Sequence, residues 1–146
     1  MGLHRSIPNK FNPVEQETRK RIFFSVRKLD TYVGALLGLP KMLSDEDIDQ
    51  DMPLEVDDEC ITVNGVLPMP RDRVSLMMAF NAHTRLVEIL SKTVRYIYPT
   101  KGRKSKKNHS YIVSHANIRE IEQDLQRWME ALPAQFKSGG PPEFLR

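Results

Sequence analysis

Three apolar stripes at helical spacing, each closed by proline, constrain this chain more than any other feature. In the first, Ile22, Val26, Leu29, Val33 and Leu36 recur at steps of four and three, and Phe23 and Leu37 widen the face. Asn12 can cap this run, Pro13 suits its first turn and Glu15 stands where a capping-box carboxylate belongs. Gly38 followed by Pro40 ends it. In the second stripe Leu76, Phe80, Val87, Leu90, Val94 and Ile97 keep the same alternation, with His83 filling the gap, between an Asp72 cap and a Pro99 stop. Leu86 and Ile89 broaden it, so this helix is expected to pack between two others. The third runs through Ile118, Ile121, Leu125, Trp128, Met129 and Leu132, capped by Ser114 or Asn117 and stopped by Pro133. The spacing predicts an all-α fold with helices over about 13–38, 72–98 and 114–132, joined by long irregular connections.

The connections are where charge separates. Residues 45–59 hold nine acidic side chains and no basic one. Asp45, Asp47, Asp49 and Asp51 alternate as in a calcium loop, but such a loop needs Gly at its sixth position and Glu at its twelfth. Counting from Asp45 those positions hold Gln50 and Val56, and from Asp47 the sixth is Met52. The segment therefore reads as solvated negative surface, free to dock on Arg19, Lys20 and Arg21. Further along, Ile61, Val63 and an Asn64-Gly65 turn signal suggest a short hairpin. In the second connection Lys101, Arg103, Lys104, Lys106 and Lys107 stand without an acidic neighbour. Their first reading is a solvated linker; their second is a nuclear-import or phosphate-contact patch. No aromatic side chain is interleaved from 101 to 110, which leaves stacking on single-stranded bases unsupported. The Gly139-Gly140-Pro141-Pro142 run marks residues 137–146 as a flexible tail.

A chain of 146 residues bounds the fold at one compact domain. Its net charge of +3 says less about partners than the two charged segments do. Cys60 is the sole cysteine, so no intrachain disulfide forms. No apolar run approaches the roughly 20 residues that span a bilayer, and the first residues carry no secretory signal, so a soluble intracellular protein is expected. Met1-Gly2 with Ser6 fits a myristoylation pattern too short to carry weight. His4, His83, His109, His115 and Cys60 lack metal-ligand spacing. His83 reads as a hydrogen-bonded core histidine rather than a base, and Glu120 with Asp124 as a solvated helix face. Without a phosphate loop, dinucleotide fingerprint or nucleophile elbow, the chain is not expected to be an enzyme or to hold a cofactor.

One order of motifs does point to a role. Arg19, Lys20 and Arg21, then Phe23-Phe24, Leu29-Asp30, Leu37-Gly38-Leu39-Pro40 and the Ser44 to Pro53 loop follow each other at a spacing that resembles the middle homology region of fungal zinc-cluster transcription factors. Trp128, Met129 and Leu132-Pro133 resemble a second element of that family. The resemblance implies a partial regulatory domain over 1–136 that acts in the nucleus to control transcription by RNA polymerase II. Its helical faces would be buried in a larger helical body, because Gly2-Leu3-His4-Arg5 resembles a step that follows an upstream helix. Family members read DNA through a six-cysteine, two-zinc cluster; with Cys60 alone, neither zinc nor DNA binding transfers to a residue here. The implied partner is another protein or the rest of the domain, with DNA reached only through that absent cluster and no membrane. The alternative is a stand-alone helical adaptor that binds a protein through an exposed apolar helix face.

Overall fold

A computed structural model describes residues 2–7, 10–70, 73–97 and 114–137. Three helices dominate: α1 (Pro13–Leu37), α2 (Leu76–Ile97) and α3 (His115–Ala131). Short 3-10 turns at Asp45–Asp47, Asp58–Cys60 and Ala134–Phe136 and one small hairpin complete the described elements, so the all-α expectation holds. Contacts gather the chain into two units, Met1–Thr84 and Arg85–Arg146. The division falls within α2.

The ends of α1 follow its sequence. The Asn12 side chain accepts from the Glu15 amide at 2.9 Å, and Glu15 accepts from the Asn12 amide at 3.2 Å, closing the capping box over Pro13. Gly38 ends the helix at φ 67°, a left-handed conformation that costs glycine little. The chain then folds back so tightly that a Cβ on Gly34 would lie 3.1 Å from the Leu39 carbonyl oxygen.

α2 begins later than its periodicity implies. Residues 73–75 are not helical, Asp72 lies outside the described residues, and the Ser75 hydroxyl accepts from the Met77 amide at 3.1 Å. Serine satisfies an orphan first-turn donor as well as aspartate does, and an apolar stripe does not mark which polar residue will cap it. Ser114 caps α3 by accepting from Ala116. The hairpin is antiparallel, β1 (Ile61–Thr62) on β2 (Gly65–Val66), with Ile61 opposite Val66 and Thr62 opposite Gly65. Its two-residue turn is Val63-Asn64, one position before the Asn64-Gly65 signal, and the Thr62 hydroxyl fixes it by donating to the Gly65 carbonyl at 2.7 Å.

In the first unit the interior is aromatic and polar. Phe23 and Phe24 meet edge to face at 5.1 Å between ring centres and are buried with Glu17, Lys28 and Thr31 of α1, Asn81 and Thr84 of α2, and Ser75 just before it. Thr31 and Thr84 tolerate burial because each hydroxyl donates to its own helix, to Arg27 O at 3.0 Å and Phe80 O at 2.8 Å. Glu17 accepts from the Leu54 amide at 2.8 Å and from Lys20 at 2.9 Å, while the Asn81 side chain donates to Pro53 O at 2.8 Å and Glu55 at 3.2 Å. Two helices thus hold the irregular 53–55 segment by its backbone. In the second unit Lys92 bridges Glu120 and Asp124, both at 2.6 Å, and Tyr96 donates to Glu120 at 2.6 Å. Glu120 and Asp124 therefore grip α2 rather than face water alone. Of the second stripe only Val87 is buried, and α3 has no buried residue, so neither helix is enclosed as its width suggests.

Glu17→Ala should raise the exchange rate of the Leu54 amide by roughly tenfold or more, because a hydrogen bond to a charged acceptor contributes about 1.5–3 kcal/mol. Site-resolved hydrogen exchange measures this; a Leu54 amide with unchanged protection would refute the tether.

Candidate interaction face and its electrostatic anchors

At about 100° per residue, Glu17, Phe24, Lys28 and Thr31 share one side of α1. Ile22, Val26, Leu29, Val33, Leu36 and Leu37 lie on the opposite side. The structure buries the first set and leaves the second outward, with these six side chains 41–83% exposed while Phe23 and Phe24 are 3% and 2% exposed. Of the residues assigned to the first stripe only Phe23 is buried. Periodicity identifies a face that avoids water but not the surface that covers it, and within this chain the polar-aromatic side has the partners.

Those partners are specific. The Lys28 ammonium lies 3.2 Å from the Phe80 ring centre, and burial holds its pKa below the usual lysine range. One turn on, the Tyr32 hydroxyl meets His83 Nε2 at 2.7 Å. Desolvation and then the Lys28 charge push His83 below its ordinary value, which favours the neutral ring. His83 is hydrogen-bonded as expected but exposed, which corrects its placement in the core. The pairing ties α1 to the start of α2 and offers no reacting centre.

The acidic loop is anchored to α1 from the side. Both carboxylate oxygens of Asp30 accept from the Met42 amide at 3.1 Å, and one also accepts from Leu43 at 3.3 Å. Asp45 receives Arg27 at 3.1 Å and Lys41 at 3.0 Å. Arg21 pairs with Asp58, so one of the three expected docking residues holds the loop; Lys20 pairs within its helix with Glu17, and Arg19 donates to Gly2 O at 3.1 Å while lying over the Phe11 ring. Arg27, Lys41 and Asp30 were not singled out by sequence, although Asp30 sits in the Leu-Asp step of the motif. The amino-terminal segment closes the arrangement: Ser6 N donates to Asp49 O at 2.5 Å, Asp49 N to His4 O at 2.9 Å, and the Gln50 side-chain amide to Leu3 O and Arg5 O. Lys101, Arg103, Lys104, Lys106 and Lys107 lie outside the described residues, as do positions 138–146 of the tail.

The model of the fungal specific transcription factor domain matches residues 1–130. The Activator of stress genes protein 1 of Candida albicans is 35% identical over 96% of the chain and 16% of its own length. The Activator of stress genes 1 of Saccharomyces cerevisiae is 39% identical over 92% of the chain and 14% of its length. The Transcriptional activator protein acu-15 of Neurospora crassa is 36% identical over 94% and 14%. The chain thus spans about one-sixth or less of these relatives. No solved structure matches it.

Partial burial alone would raise the Asp45 pKa, but the hydrogen bonds and charges of Lys41 and Arg27 overrule it and hold the group below its ordinary 3.8. A depressed carboxylate stabilises the fold above its unfolded value and loses that contribution as pH falls through the folded one. Thermal stability should therefore stay level from pH 7 to about 5 and weaken below about 4, and Asp45→Asn should shrink that acid limb. A wild-type profile without that limb would refute the latch.

Proposed function

The chain belongs to the fungal specific transcription factor domain family, and from that premise we propose that it is a regulatory helical body that docks through the outward stripe of α1. The surface that receives the stripe is the remainder of a longer nuclear regulator of RNA polymerase II transcription. The observation that carries this reading is the reversal of α1: its most regular apolar face is exposed while its charged and aromatic face is buried. Covering the exposed half of each aliphatic side chain would add roughly 1 kcal/mol apiece, so five or six of them make a sizeable interface. The relatives support the source of the cover, being some six or seven times longer than the matched region. The exposed side chains of α3, Ile118, Leu125 and Met129, extend the same argument to the second unit.

The role is regulatory rather than catalytic, in keeping with relatives named as activators. It needs no metal or cofactor of this chain, and DNA is reached through another part of the regulator. The basic run Lys101, Arg103, Lys104, Lys106 and Lys107 serves nuclear import as a cluster of positive charge read by an import receptor.

The double substitution Leu29→Asp with Val33→Asp tests the reading, since both positions point away from the interior. With the chain tethered to a promoter through a heterologous DNA-binding head, wild type should change reporter transcription and the variant should return it to the level of the head alone. Far-UV circular dichroism and Leu54 amide protection should be the same in both. A variant as effective as wild type, or a wild-type chain without effect, would overturn the proposal.

A further inference from the structure

Among the described serines and threonines, only Ser25 and Ser44 are exposed and make no side-chain hydrogen bond. Ser25 is followed by Val26, Arg27 and Lys28. Ser44 is followed by Asp45, Glu46 and Asp47 in a 3-10 turn on the outside of the loop. The three carboxylates are not equivalent: Asp45 is held by Arg27 and Lys41, while Glu46 and Asp47 are exposed. An exposed hydroxyl followed at the second and third positions by available carboxylates complements the basic groove of an acidophilic kinase. On the protein's own side, Ser44 lines an open cleft with His4 and Arg5.

We propose that Ser44 is a phosphorylation site for an acidophilic serine/threonine protein kinase, and that its phosphate fastens residues 3–6 to the acidic loop through His4 and Arg5. In the transfer, Ser44 Oγ forms a bond to the γ-phosphorus of ATP, the bond from that phosphorus to the ADP oxygen breaks, and the hydroxyl proton passes to the kinase's base. The product adds a charge of about −1.5 to −2 and three acceptor oxygens at neutral pH. Glu46, Asp47 and Asp49 repel that charge, and Arg27 and Lys41 are already engaged with Asp45, so the basic groups across the cleft, His4 and Arg5, are the ones it draws. Arg5 already bridges Asp49 through the backbone, so the new bond tightens an existing contact. The site lies away from the outward stripe of α1 and stands or falls independently of that stripe.

The test is phosphorylation of the full chain with magnesium-ATP and a recombinant kinase of the casein-kinase type, located by intact mass and peptide fragmentation. Expected is one phosphoryl group on Ser44, absent from Ser44→Ala, with a rate roughly tenfold lower in the Glu46→Gln, Asp47→Asn chain. A Ser44 left unmodified while an acidic reference peptide is consumed, or modified equally fast in that double variant, would overturn the site. In the phosphorylated chain the Ser6 and Asp49 amides should exchange several-fold more slowly than before, and Arg5→Ala should abolish that gain. Equal exchange with and without phosphate would overturn the lock.

Discussion

The irregular segment at Pro53 to Glu55 pairs with no strand among the described residues, and the fold of the first unit depends on how its backbone is satisfied. A buried amide or carbonyl left unpaired costs as much as a lost hydrogen bond. Glu17 accepts the Leu54 amide and Asn81 donates to the Pro53 carbonyl, so α1 and the start of α2 each supply a partner to the same stretch of backbone. Once Glu17 and Asn81 must point inward, the rotation of both helices is fixed. Phe24, Lys28 and Thr31 follow Glu17 into the interior because they stand on its side of the helix.

That rotation explains why the aliphatic stripe of α1 faces outward. A helix with a polar side that binds a loop and an apolar side left exposed among the described residues can be satisfied on both only by a further surface. The polar side is self-sufficient: threonine hydroxyls return to their own helix, Lys28 rests on Phe80, and Glu17 is doubly engaged. The apolar side has no such internal remedy, since its only stabilisation is removal from water. Burial of charge in one place and exposure of aliphatic groups in another are thus two aspects of one orientation.

Much of the fold was legible in the sequence, because its signals are local. The capping box of Asn12 and Glu15, the stop at Gly38 and the helical content of all three stripes depend on residues within a few positions of each other. The site was legible as a set of residues but not as a side. Ile22, Val26, Leu29, Val33 and Leu36 do form one face; which surface covers it depends on chain outside that helix. The anchors were hidden for a related reason: Asp30 acts on the Met42 amide and Asp45 on Arg27, 12 and 18 positions away, where spacing carries no geometric information. Ser75 displaced Asp72 as the start of α2 because several polar residues near a stripe can cap it equally well.

The same separation of sides has a consequence for how substitutions act. Changes at Glu17, Phe24 or Asn81 disturb the interior of the first unit and reach the stripe indirectly, through loss of the helix that carries it. Changes at Leu29 or Val33 meet solvent in the chain and meet resistance only where a second surface covers them. An apolar side chain on that stripe therefore adds little to the folding of this unit, whereas the buried carboxylate at Glu17, costly to desolvate, is held by the hydrogen bonds that folding supplies.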